Sequence, residues 1–192
     1  LMNADHTEVV PLSQAGQAMA MYYGAFTDEE KPAALIGLKK AIERYDGHIQ
    51  IGVLGARTLF RVLSDMGETE LAYRMITRPD YPSFANHVLM GATTLYEIFR
   101  KPSEEFPYTS DMFACGSRNA RSLNHHFWGD VSGWFYEALG GIRINEALTK
   151  HTDVVIDPKF VTSLNFVRAT HVFKNIGTLA VEWKRENGAI TL

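Results

Sequence analysis

Apolar positions recur every three to four residues along the first two thirds of the chain, which predicts a run of helices. Residues 13–23 form a short apolar helix that stops at Gly24. Thr27-Asp28-Glu29-Glu30 fits a capping box, in which Thr27 and Glu30 each satisfy the other's free backbone N–H. Behind it Leu35, Leu38, Ile42 and Tyr45 keep helical spacing up to Asp46-Gly47, with Pro32 near the first turn. Leu59, Val62, Leu63 and Met66 mark another helix, ended by Gly67. Leu71, Ala72, Met75 and Ile76 follow at once and end near Pro79. Two helices with almost no loop between them make an antiparallel hairpin. The pattern further predicts a shorter helix over 93–101, stopped by Pro102. A last helix is predicted over 123–139, bent near Gly129 and closed by Gly140-Gly141.

After Asn145 the period changes. Val154 and Ile156, and then Leu179, Val181 and Trp183, follow the two-residue alternation of strands. Asn187-Gly188 signals a type I′ hairpin, because both residues tolerate positive φ. The returning strand, 189–192, has four residues, and a sheet edge left that way is costly. The expectation is a fragment with an incomplete sandwich; a short edge strand is the alternative. Hairpins followed by strands read as two domains rather than alternating βα units. The fold class is therefore mainly α, followed by a small antiparallel β portion. Hairpins in series suit an (α/α) toroid, but periodicity does not separate a toroid from a bundle or a solenoid.

Composition narrows the function classes. Apolar residues make up 46% of the 192, enough for a real core. The net charge is −3 and the 19 basic residues are scattered, so no stripe suits a nucleic acid. No stretch approaches the ~20 apolar residues of a membrane span. The N-terminus lacks a basic-then-apolar signal pattern, so any signal peptide is expected outside this chain. The lone Cys115 excludes a disulfide framework, suits cytoplasm or periplasm alike, and has nothing nearby in sequence to activate it. No HExxH or CxxC spacing is present, so neither a metal nor a cofactor is expected.

Three segments could carry chemistry. Residues 47–55 are glycine-rich and include His48, but lack the Lys-Ser/Thr ending of a phosphate loop. Tyr81-Pro82-Ser83-Phe84 runs on to Gly91-Ala92-Thr93-Thr94-Leu95-Tyr96-Glu97, where small residues allow close approach and Glu97 stands among aromatic neighbours. Ser122-Leu123-Asn124-His125-His126-Phe127-Trp128 sets polar donors beside flat apolar faces, which suits a pyranose. Each segment alone also has a structural reading: a solvated Glu, a buried His, aromatic loop anchors. Trp134 belongs to an apolar helix face and reads as core.

Together these residues resemble the bacterial α-L-rhamnosidases of glycoside hydrolase family 78. The stretch from Gly91 to Glu97 is similar to their Gly-Ala-Thr-Thr-x-Trp-Glu signature. Gly52-Val53-Leu54-Gly55, Asp65-x-Gly67, Tyr81-Pro82-Ser83-Phe84 and Ser122-Leu123-Asn124-His125 resemble further family segments in the same order. The Gly140-Gly141-Ile142 exit and the Trp183 strand fit the start of the family's C-terminal sandwich.

The resemblance implies a partial (α/α)6 toroid: residues 1–148 as the second half of the barrel and 149–192 as the first part of a β-sandwich. It implies hydrolysis of terminal α-L-rhamnose from an oligosaccharide or glycoside, with inversion. Glu97 matches the general base and His125 a histidine that hydrogen-bonds the sugar. Tyr81, Tyr96 and Trp128 are the further substrate-binding candidates, Trp128 as a stacking platform. The family's general acid lies in the first half of its barrel, so the remainder of the polypeptide is a required partner and the isolated chain is expected to be inactive. Family tryptophans are replaced by Phe84, Tyr96 and Phe99, and residues 104–118, with Tyr108, do not match. A non-catalytic carbohydrate-binding homologue and another helical-toroid enzyme remain as alternatives; a lyase would need basic residues that the signature lacks.

Overall fold

A computed structural model of the chain describes residues 2–99, 122–144 and 153–192. The helical part is built around α3 (Val53–Asp65), whose Ala56, Leu59, Phe60 and Leu63 are all buried. Around it pack α1 (Gln14–Tyr22), α4 (Thr69–Thr77) and α6 (Asp130–Trp134). Helix α2 (Lys31–Glu43) closes on α1 and adds Leu38 and Ile42 to the same core. Each large side chain buried there contributes about 1.5–3 kcal/mol. The capping box before α2 forms as expected: Thr27 N donates to Glu30 Oε2 at 2.8 Å, and Glu30 N to Thr27 Oγ1 at 3.3 Å. Helices α3 and α4 form the expected hairpin, turning at Gly67 with φ +83°.

Two glutamines one turn apart on α1 are fully buried, which apolar periodicity does not foresee. Gln17 Nε2 donates to Thr7 O at 2.8 Å and Ala34 O at 2.9 Å, and its Oε1 accepts from Val9 N at 2.8 Å. Gln14 Nε2 donates to His48 O at 2.9 Å, and its Oε1 accepts from Gln50 N at 2.9 Å. Both serve irregular backbone at Thr7, Val9, His48 and Gln50, and Gln17 also bonds a carbonyl of α2.

The helix expected over 93–101 does not form in its described part. Residues 93–99 run without a helical turn. Their N–H groups find distant partners instead: Tyr96 N donates to His87 Nε2 and Glu97 N to Ser122 O. The β-branched Thr93, Thr94 and Ile98 also favour helix weakly. An unforeseen helix, α5 (Phe84–Leu89), precedes this segment, with Ser83 Oγ accepting from Asn86 N as its cap. Arg100, Lys101, Pro102 and residues 104–118, including Tyr108 and Cys115, lie outside the described residues.

The last predicted helix begins later than expected and changes pitch twice. A 3₁₀ turn (His126–Gly129) leads into α6, which passes into a π turn (Phe135–Leu139). The expected bend at Gly129 is the first of these changes. Trp134 is core, with its indole N–H shared between Phe60 O at 3.0 Å and Ser64 Oγ at 2.9 Å. At Gly141, φ is +71° and a Cβ would overlap the Pro158 backbone, so only glycine fits this exit.

Strand structure starts at β1 (Ile142–Ile144), ahead of the expected change at Asn145. It pairs antiparallel with β2 (Val154–Ile156). Strands β3 (Phe166–Phe173), β4 (Gly177–Glu186) and β5 (Ala189–Thr191) form an antiparallel sheet in that order. Asn187 and Gly188, with φ +49° and +80°, make the hairpin turn as expected. Ile142, Ala169 and Val181 are buried together between the sheets. Trp183 is fully buried and donates to Leu139 O at 2.8 Å, which ties the sheet to the helical core. No described helix is long and apolar enough to cross a membrane.

Candidate active site

The chain leaves α5 through Gly91, whose φ of +88° a side chain would strain. Beyond this turn, residues 94–97 lie beside 122–125. Thr94 Oγ1 donates to Leu123 O, His125 N to Leu95 O at 2.7 Å, and Glu97 N to Ser122 O at 2.8 Å. Two motifs more than twenty residues apart in sequence thus become main-chain neighbours. Glu97 is held at two further points: Oε2 accepts from Ser122 N at 3.0 Å, and its carbonyl accepts from the Trp128 indole at 3.0 Å. Its side chain stays half-buried, and one amide donor leaves carboxylate lone pairs for other partners.

Beneath this pair of segments lies an aromatic layer. Trp128 meets Phe99 and Phe84 edge-on, with centroids 4.7 and 5.7 Å away, and Phe84 meets Phe99 at 5.2 Å. Trp128 is only 2% exposed. A ring enclosed on its faces cannot stack on a sugar, so the expected platform role gives way to one of support. Phe127 is 48% exposed and its ring sits 5.4 Å from that of His125, so the open apolar face there belongs to Phe127.

The remaining candidates are distributed around Glu97. His125 is half-buried, and its Nδ1 is enclosed without a hydrogen-bond partner. His126 stacks on it at 5.9 Å and faces solvent. Tyr81 donates its hydroxyl to Phe99 O at 2.7 Å while its ring stays partly exposed. Tyr96 is half-buried and meets the His87 ring edge-on at 4.4 Å. His87 itself went unnoticed in the sequence. It is 4% exposed, burial pushes its imidazole below the usual histidine range, and the Thr94 main chain works weakly the other way. Nothing in the sequence singles it out, since it follows polar Asn86 and its inward face appears only in the fold.

His48 works as a loop tie. Its Nδ1 lies 2.9 Å from Tyr45 O and its Nε2 3.0 Å from Asp80 Oδ2. Arg78 also grips Asp80 with two hydrogen bonds and reaches Asp46 O at 2.7 Å. The Arg78 guanidinium holds the Asp80 carboxyl well below the usual carboxylate range. A separate cavity of about 230 Å³ is lined by Arg57, Arg61, Asp65, Trp134, Glu137 and Arg143 among others, and includes neither Glu97 nor His125.

Residues 1–139 match the family described as the bacterial alpha-L-rhamnosidase 6 hairpin glycosidase domain. An α-L-rhamnosidase of Formosa agariphila is 29% identical over 181 residues, covering 94% of this chain and 18% of its own length. One of Streptomyces avermitilis is 29% identical over 182 residues, covering 94% and 16%. The chain spans less than a fifth of the length of the curated relatives it matches. The solved Streptomyces avermitilis α-L-rhamnosidase complexed with L-rhamnose superposes with a TM-score of 0.84 at 26% identity, over 98% of this chain and 17% of that one. The Dictyoglumus thermophilum α-L-rhamnosidase gives 0.75 at 27% identity, over 91% and 18%. The family match covers well over half of the residues and the superpositions agree with it, and this chain belongs to the bacterial α-L-rhamnosidase six-hairpin glycosidase family.

Proposed function

We propose that the complete protein carrying this chain hydrolyses terminal α-L-rhamnosyl residues from glycosides with inversion, and that this chain supplies the general base, Glu97, but not the general acid. The observation that carries this reading is the pairing of residues 94–97 with 122–125, which sets Glu97 and His125 on adjoining backbone. The L-rhamnose in the Streptomyces enzyme supports the choice of sugar. An inverting glycosidase needs two carboxyl groups about 6.5–9.5 Å apart, with a water between the base and the anomeric carbon. Glu97 takes a proton from that water as it attacks. The acid, on the remainder of the polypeptide, protonates the leaving oxygen. Each proton transfer contributes about 10²–10⁴-fold.

His125 serves as a hydrogen-bond partner of the sugar hydroxyls, with Tyr81, Tyr96 and Phe127 as the nearby aromatic surfaces. On this reading residues 1–148 are the second half of an (α/α)6 barrel and 149–192 open a β-sandwich. The test is Glu97→Gln in the full-length protein. Hydrolysis of an aryl α-L-rhamnoside should be abolished while rhamnose still binds, and NMR of the wild-type product should find the inverted anomer. Near-wild-type turnover in the variant, or a retained anomer, ends the assignment. Binding of rhamnosides without turnover by the wild type would make the protein a non-catalytic homologue.

A further inference from the structure

The Leu95–Tyr96 peptide unit, one residue ahead of Glu97, is gripped from both sides. Its carbonyl, on Leu95, accepts from His125 N at 2.7 Å, and its N–H, on Tyr96, donates to His87 Nε2 at 3.3 Å. The first grip is main chain to main chain and survives any side-chain change. The second depends on one imidazole. His87 stands on α5 at 4% exposure, where a leucine would fill similar space without answering the Tyr96 N–H.

We propose that His87 is a positioning residue for Glu97: its neutral imidazole accepts the Tyr96 N–H and so fixes the segment that delivers the carboxylate. This rests on the reading of Glu97 as the base. Accepting at Nε2 puts the ring proton on Nδ1. The edge-on contacts with Tyr96 at 4.4 Å and Phe99 at 5.7 Å hold the ring in that orientation. Burial disfavours the imidazolium, which would turn a second donor toward the Tyr96 N–H. A carboxylate freed to drift by about 1 Å loses much of its effect on a bound water.

The experiment compares His87→Leu, His87→Gln and His87→Asn with Glu97→Gln in the full-length protein, on an aryl α-L-rhamnoside, with circular dichroism to establish folding. His87→Leu should lower kcat about ten- to a hundredfold with KM within about twofold. Gln carries an acceptor where Nε2 stands and should recover most of kcat. Asn carries its polar end nearer Nδ1 and should not, so the Gln–Asn contrast decides even if the Leu variant fails to fold. Wild-type kcat in folded His87→Leu or His87→Asn, or equal losses in the Gln and Asn variants, overturns the proposal. A change in KM alone does the same. Activity retained in Glu97→Gln overturns the base assignment instead, whatever the His87 variants do.

Discussion

Trp128 donates its indole N–H to the main-chain carbonyl of Glu97 at 3.0 Å, so a buried ring carries the backbone of the carboxylate residue. Support comes from below the site, and the faces that meet solvent belong to Phe127 and Tyr81.

Trp128→Phe removes that donor and leaves space beneath residues 97–99. The loss of one hydrogen bond and some packing should cost about 1–3 kcal/mol in chemical denaturation. In the full-length protein kcat should fall more than KM rises. Unchanged stability would mean that the indole does not hold the carbonyl.

Gln17→Leu keeps the side-chain volume nearly constant and abandons three backbone partners, at Thr7, Val9 and Ala34. A destabilisation of about 2–4 kcal/mol is expected in urea titration, because buried backbone groups without partners are costly. A loss under about 1 kcal/mol would show that water replaces the amide.

Arg61 binds both oxygens of Glu137, at 2.6 and 2.9 Å, and also Asp130. Burial works against its charge, but the hydrogen bonds to Glu137 and Asp130 together outweigh it and raise its pKa. Arg61→Met should destabilise by roughly 2–3 kcal/mol, less than the ~3–5 of a fully buried pair because the carboxylates keep some water. Arg61→Lys should recover little, since lysine lacks the two-pronged donor. Full recovery in that variant would sink the bidentate account.

His87 gives the protein a pH dependence of known sign. Its folded pKa lies below the ordinary value of 6.5, so between the two the unfolded chain binds more protons. Stability is therefore complete above about pH 6.5 and declines as pH falls through that window toward the folded pKa. His87→Gln removes the titration, so unfolding free energy measured from pH 7 to 5 should fall less steeply than in the wild type. Parallel curves would refute the buried neutral state.

Local signals were legible where neighbours in sequence satisfy each other. The capping box at Thr27 and Glu30, the α3–α4 hairpin and the turn at Asn187-Gly188 all close within a few residues, and all stand where the pattern puts them. Glu97 and His125 are singled out only through a resemblance, since a lone carboxylate and a histidine pair carry no spacing of their own, and their roles remain a proposal. Over 93–99 apolar and aromatic positions mimic helical periodicity, whereas donors there go to Ser122 and His87.

The sequence by itself determined most of the helices, the α3–α4 hairpin and the passage from helices to strands, because short-range periodicity and turn preference encode these. Only the tertiary structure decided that Trp128 faces inward, that Phe127 faces outward and that His87 grips the Leu95–Tyr96 peptide. Those choices depend on which distant groups compete for burial and for each free N–H, and that competition is settled only when the segments meet.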